Sequence, residues 1–233
     1  VADIELRVFD DPEELASALA RALVDELDRS VDERGRFTLA LTGGSSPLPL
    51  YRTLARDRRE AVPWQAVHLF WSDERHVPRD HPESNVGTTL ELLKPLPLAE
   101  ENVHAPDTLL PLEEAARLYE RELSRFHPLD TFVLGLGPDG HVASLFPNSP
   151  ELEERERLVL PVRGAPKPPP DRITMTFPAI DAGRSVHLLV TGADKRDAFE
   201  RLKQGDPSLP ASRLRSRKGT VLVWTESRLR ARR

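Results

Sequence analysis

The chain has 233 residues, 39% of them hydrophobic and 30% charged, enough to bury a core and ordinary for a soluble globular protein. Cysteine is absent, which excludes disulfides, thiol catalysis and Cys-ligated metals. A formal net charge of -5 argues against a general nucleic-acid binder. With no apolar run of the ~18 residues a membrane span needs and no secretion-signal pattern in the first residues, the chain reads as cytoplasmic. Five of the basic residues are lysine (Lys94, Lys167, Lys195, Lys203, Lys218) and the rest are arginine. The basic stretches 213–218 and 228–233 read as a solvated C-terminal region.

Ile4 to Phe9 alternates apolar and polar residues and predicts a first strand. Asp11-Pro12-Glu13-Glu14 is a helix start, with a capping aspartate, proline at the first helical position and acids in the first turn. Leu15, Leu19, Leu23 and Leu27 give that helix one apolar face as far as about Ser30. Phe37 to Leu41 is a second strand and runs into Thr42-Gly43-Gly44-Ser45-Ser46-Pro47. Leu48, Tyr51, Leu54 and Ala55 then mark a helix. Val67 to Trp71 is a third strand, followed by the polar turn Ser72-Asp73-Glu74-Arg75 and a helix over 85–93. A proline-rich stretch with an extended piece at Val103-His104-Ala105 leads to a helix over 112–126.

Thr131 to Leu136 has little alternation, as in a strand buried on both faces of a parallel sheet. It stops at Gly137-Pro138-Asp139-Gly140, and His141 to Phe146 reads as a short helical turn. Strands over 158–162, 173–177 and 185–190, a helix over 194–203 and a closing strand over 221–224 complete the chain. Strand and helix alternate almost throughout, without a repeat or an obvious linker. The expectation is a single domain over 1–233, an α/β/α sandwich around a mostly parallel sheet.

In such sheets ligands sit beyond the carboxyl ends of the strands, where four junctions carry polar residues. Asp139 and His141 are candidate acid–base groups, although a turn aspartate and a packing histidine would look the same. Gly43, Gly44, Ser45 and Ser46 join a buried strand to a helix, an arrangement that aims N–H groups at an anion. The loop is neither a P-loop nor a dinucleotide fingerprint, and it lacks the serine-hydrolase elbow. Asp73 and Arg75 belong on the same rim, where arginine's planar fork suits anionic oxygens. Arg172 and Lys195 add two more cations, so that together the junctions suit a phosphorylated substrate. His76, Asp80 and His81 lie in a proline-flanked segment and are not assigned to a metal.

Five ordered segments carry a resemblance: 43–47, 71–75 with 84–85, 135–147, 167–174 and 192–195. Together they resemble the glucosamine-6-phosphate isomerase/6-phosphogluconolactonase family, on its lactonase side. The resemblance implies a Rossmann-like fold, hydrolysis of 6-phospho-D-glucono-1,5-lactone, no cofactor, and a small phosphosugar lactone as partner. It implies neither nucleic acid nor membrane; a monomer or small homo-oligomer is compatible. Val142 and Asn148 stand where many members have Thr and Gly. Deaminases of the same superfamily carry a catalytic Glu five residues after the His, where this chain has Phe146, so lactone hydrolysis is expected over sugar isomerisation. A sugar-phosphate sensor on the same fold is the other alternative.

On this reading His141 is the general base, since an imidazole titrates near neutrality, and Asp139 orients it. Arg75 contacts the carbonyl oxygen or the phosphate, and backbone N–H groups at the start of the 141–146 turn are an alternative oxyanion site. Asp73 holds sugar hydroxyls or assists proton transfer. Gly44, Ser45, Ser46, Arg172 and Lys195 hold the phosphate.

Overall fold

A computed structural model describes residues 3–58 and 62–229, so the end of the basic C-terminal stretch, from Arg230, lies outside the described residues. The strands are β1 (Asp3–Phe9), β2 (Phe37–Leu41), β3 (Val67–Trp71), β4 (Asp73–Arg75), β5 (Thr131–Gly135), β6 (Val159–Val162), β7 (Arg172–Met175), β8 (Ser185–Val190) and β9 (Thr220–Glu226). The α-helices are α1 (Pro12–Arg34), α2 (Leu48–Asp57), α3 (Asn85–Leu93), α4 (Leu112–Ser124), α5 (Phe177–Asp181) and α6 (Arg196–Lys203). Asp11 caps α1 by accepting the Glu14 N–H at 2.8 Å.

Six strands form a sheet in the order β1-β9-β8-β5-β2-β3, every neighbouring pair parallel. Side chains alternate between its faces. Phe37, Leu39 and Leu41 of β2 pack with α1, α2 and α3 on one face. Phe132 and Leu134 of β5, with Val186, Leu188 and Val190 of β8, pack with α4, α5 and α6 on the other. Each fully buried Leu or Val contributes about 1.5–3 kcal/mol, so the two apolar layers explain why strand and helix must alternate. This is the expected three-layer α/β/α arrangement. Among the described residues no helix is long and apolar enough to cross a membrane.

Three features depart from the expectation, the smallest being that the strand expected over 173–177 ends at Met175 and a short helix, α5, begins at Phe177. Residues 73–75 are a strand, not a turn, and form with β7 and β6 a separate antiparallel sheet in the order β4-β7-β6. The segment at 141–146 is not helical: it folds into a tight turn bridged by Val142 and Leu145, with Ala143 at φ 49° in the left-handed region. Helical hydrogen bonding cannot continue through that residue.

Where β2 and β3 leave the sheet, the chain's two tyrosines receive them. The Tyr51 hydroxyl accepts the Thr42 N–H at 3.1 Å and donates to the Thr42 carbonyl at 2.7 Å. Tyr119 does the same for Trp71, at 2.8 Å in both directions. Burial pushes both phenols well above their ordinary value, so they remain protonated donors. Tyr51→Phe or Tyr119→Phe leaves one buried N–H and one buried carbonyl without a partner. Each substitution is expected to lower stability by about 1–3 kcal/mol in urea unfolding, with no loss of secondary structure by circular dichroism.

The amino ends of the strands are closed by Glu26 of α1. Its carboxylate accepts from Ser185 at 2.6 Å, Thr131 at 2.7 Å and His187 Nε2 at 3.2 Å. Trp224 Nε1 donates to His187 Nδ1 at 3.0 Å, which leaves the ring proton on Nε2. Burial pushes the Glu26 carboxyl up, but the His187 contact and the two hydroxyl donors outweigh it and hold its pKa at about 2, against 4.5. The folded value lies below the unfolded one, so the stabilisation is complete above about pH 4.5 and fades as pH falls toward 2. It amounts to about 3 kcal/mol. The stability gap between wild type and Glu26→Gln should therefore narrow from pH 5 to pH 3; a gap that stays constant would contradict the assignment.

Candidate active site

A cleft of about 250 Å³ opens at the carboxyl edge of the large sheet, with the small sheet as one wall. The loop after β2 brings Gly43, Gly44, Ser45 and Ser46 to it, β4 brings Asp73 and Arg75, and β7 brings Arg172. His141 arrives after β5 and Lys195 after β8. Segments separated by up to 150 residues of chain thus meet at one edge, and Asp139 joins them from behind His141.

Asp139 Oδ1 lies 2.5 Å from His141 Nδ1. Burial works to raise the Asp139 carboxyl, but the hydrogen bond from His141 and the charges of His141 and Lys167 prevail and hold it well below the usual carboxylate range. An ionised carboxylate only accepts, so the proton between them sits on Nδ1, while the ring lines the cleft and Nε2 has no hydrogen-bond partner among the described residues. Two glycines make this geometry possible. Gly140 turns the chain at φ 84° between the two residues. Gly137 lies directly beneath the imidazole: a Cβ there would come within 2.0 Å of His141 Nδ1. On its other side the ring meets Phe146, centroids 4.7 Å apart.

The small sheet sets the charged wall. In the β4–β7 register Asp73 opposes Thr174 and Arg75 opposes Arg172. Two arginines directly opposite repel one another, an arrangement suited to a cleft that receives an anion. Arg172 is nevertheless heavily engaged within the protein. It donates from Nε to the Pro169 carbonyl at 3.0 Å and from one terminal nitrogen to the Lys167 and Pro168 carbonyls at 3.0 and 3.4 Å. Its other terminal nitrogen is 3.5 Å from Ser144 Oγ and 3.8 Å from the Asp73 carboxylate. Burial lowers its pKa from the ordinary guanidinium value, opposed by Asp73.

Asp73 is held as firmly, accepting from Ser144 Oγ at 2.7 Å and from the Asn85 amide at 3.3 Å. Glu74 points away from the cleft and receives the N–H groups of Asn85 and Val86 and the Ser84 hydroxyl, which fixes the start of α3. Burial raises the Glu74 carboxyl from its ordinary value, against these donors. Arg75 donates to the Glu83 carbonyl at 2.6 Å. Lys195 pairs with Asp194 at 2.9 Å.

Among the cleft residues not expected as site members are Lys167, Asn85 and Ala143. Lys167 opens the resembling segment 167–174 and is one of five lysines, the two signals that pointed toward it. Ser144 and Thr174 stand just behind the wall, where Thr174 Oγ1 accepts the Ser144 N–H at 3.1 Å. The Leu145 N–H donates to the Val142 carbonyl at 2.9 Å. Those two N–H groups of the 141–146 turn are therefore committed and not free for an oxyanion. Asn148, where glycine is common in the resembled family, takes φ 62°, a left-handed value asparagine tolerates. His76 Nε2 contacts the Leu110 carbonyl at 2.8 Å, and His81 Nδ1 accepts the Glu83 N–H at 3.1 Å.

A histidine paired with a buried-edge carboxylate, above an anion-suited cleft at the carboxyl edge of a parallel sheet, defines a small-molecule enzyme of the open α/β class. The model of the family described as glucosamine-6-phosphate isomerases/6-phosphogluconolactonase matches residues 10–224. The chain belongs to that family. It is 39% identical over 230 residues to the 6-phosphogluconolactonase of Rattus norvegicus, covering 94% of this chain and 89% of the rat protein. The crystal structure of the Thermotoga maritima 6-phosphogluconolactonase superposes with a TM-score of 0.86 at 32% identity, covering 97% of this chain and 100% of that one. A monomeric glucosamine-6-phosphate deaminase shares the fold, with a TM-score of 0.82 at 22% identity over 97% of this chain and 98% of the other.

Gly137→Ala tests the seat of the imidazole. The added methyl should drive the ring off Asp139 and cost about 1–3 kcal/mol, as overpacking does. A crystal structure of the variant with the ring unmoved would refute this.

Proposed function

We propose that the chain hydrolyses 6-phospho-D-glucono-1,5-lactone to 6-phospho-D-gluconate, the second step of the oxidative pentose phosphate pathway, with His141 as acid–base group. The observation that carries this reading is the orientation of His141: Nδ1 is tied to Asp139 and Nε2 is left without a partner among the described residues, in a ring that lines a cleft rich in cations. Water attacks the lactone carbonyl carbon and gives its proton to Nε2, while the carbonyl oxygen becomes an oxyanion. Collapse of the tetrahedral intermediate breaks the bond to the ring oxygen, which takes the proton back from Nε2. Asp139 stabilises the imidazolium between the two transfers. The products are a hydroxyl and a carboxylic acid, which ionises.

The 6-phosphate is assigned to Gly43, Gly44, Ser45 and Ser46 with Lys195 and Arg75. Helix α2 supports this, because it begins directly behind the loop without a side-chain cap and turns its positive end toward it. Asp73 is better suited to positioning than to proton transfer, since Ser144, Asn85 and Arg172 occupy its carboxylate. Arg172 is likewise assigned mainly to bracing the 167–170 loop. Phe146 weighs against the deaminase alternative: it is buried against His141 and supplies no proton carrier.

Acid release from fresh lactone, measured above the spontaneous rate, separates the enzyme from a non-catalytic sensor. His141→Ala should lower kcat by ~10²–10⁴. Near-normal turnover in that variant would retire the mechanism. Lys195→Ala should chiefly raise KM, leaving kcat within a few-fold.

A further inference from the structure

We infer that Lys167 is a further catalytic residue of this site, its ammonium group stabilising the oxyanion that develops on the lactone carbonyl. The inference rests on the lactonase reading above and adds to it the cation that serves the reacting carbon.

Four cations line the cleft, and three are already engaged. Arg172 spends its N–H groups on three loop carbonyls and Ser144. Lys195 is in a 2.9 Å ion pair with Asp194 and its side chain is 17% exposed. Arg75 is drawn to the Glu83 carbonyl at 2.6 Å. Lys167 alone of the four makes no hydrogen bond from its charged group to the described residues, and its side chain is 41% exposed. Its nearest acid is Asp139, whose Oδ1 is 3.8 Å from Nζ and 2.5 Å from His141 Nδ1. One carboxylate oxygen thus has the ammonium and the imidazole as neighbours, and both side chains line the same cleft, the ammonium with donors to spare.

The loop that carries Lys167 is built to hold it there. Arg172 donates to the carbonyls of residues 167, 168 and 169, and the Ala165 N–H donates to the Pro170 carbonyl at 2.8 Å. Behind the guanidinium stand Asp73, Ser144 and the Phe146 ring, 5.6 Å from it. The backbone of a flexible residue is therefore fixed while its four-carbon stem stays free to follow the oxyanion. The Ser144 and Leu145 N–H groups are committed elsewhere, and a side-chain cation is a fitting donor to the oxyanion. A lysine suits a single oxygen, since it is a compact point charge, whereas arginine's fork suits the paired oxygens of a phosphate.

The test compares wild type, Lys167→Met and Lys167→Arg on fresh 6-phosphogluconolactone, with His141→Ala as control and thermal melts on all four. Lys167→Met is expected to lose ~10²–10³ in kcat, the scale of one oxyanion donor, with KM changed less than threefold. Lys167→Arg should recover at least tenfold of that loss, and competitive inhibition by inorganic phosphate should be unaltered in both. A Lys167→Met enzyme with wild-type kcat overturns the inference. So does a loss confined to KM with weakened phosphate inhibition, which would make Lys167 a phosphate ligand. So, too, does a loss that Lys167→Arg fails to reverse while both variants melt as wild type. If wild type does not hydrolyse the lactone it is the lactonase reading itself that fails, and if His141→Ala remains active it is the assignment of His141 as acid–base group.

Discussion

Parallel strands can end at a ligand site only if the backbone groups they release are paired. In this chain two phenols do that work. Tyr51 comes from α2 and Tyr119 from α4, on opposite faces of the sheet, yet each closes both backbone groups of the residue where a strand stops. Water is not needed to solvate Thr42 or Trp71, so the glycine-rich loop and the β4 strand depart from a dry, fixed edge. The positions of Gly43 to Ser46 and of Asp73 and Arg75 all follow from those two departures.

The two ends of the large sheet use polar residues in opposite ways. At the amino end Glu26 and Asp130 are saturated acceptors. Asp130 takes the Thr38 N–H and hydroxyl, both at 2.9 Å, and ion pairs with Arg34 at 3.0 Å and Arg184 at 3.3 Å. There the carboxylates are answered by donors of the strand ends and by cations, although the same residues line a second cleft. At the carboxyl end the balance is cationic, and the acids present are held by other residues: Asp73 by Ser144 and Asn85, Asp139 by His141. Repulsion between Arg75 and Arg172 across one register position remains, and an anionic ligand relieves it. Unfavourable charge is therefore concentrated in the cleft.

Local pattern carried much of this fold. The ends of β2, β3, α3 and β8 coincide with the expected ones because each is bounded by a proline, a glycine, a capping serine or an abrupt change of polarity. The second sheet was not legible for a physical reason. Asp73-Glu74-Arg75 is too short for alternation to register, and it becomes a strand only because Arg172 to Met175 arrives from a hundred residues away. The turn after His141 escaped for a different one: nothing in Val142-Ala143-Ser144 announces a left-handed alanine. All ten site residues named from the sequence do gather at or behind the cleft, but charge alone misjudged the division of labour among them. Arg172, expected from the sequence to meet the phosphate, lines the cleft and also braces the loop that carries Lys167.

On the proposed function, Phe146 separates lactone opening from amino-sugar isomerisation. Isomerisation of an amino sugar moves protons between carbon and oxygen and needs a second carrier near the histidine. Lactone opening needs one base that takes a proton from water and returns it. A buried phenyl ring against the imidazole serves only the second case: it excludes water from one side of His141 and keeps the ring pressed toward Asp139 and Gly137. The same phenyl supports the Arg172 guanidinium on which the Lys167 loop rests. A carboxylate at that position would pair with Arg172 and draw it from the loop carbonyls, so the loss of a proton carrier and the gain of a braced lysine are consequences of one side chain.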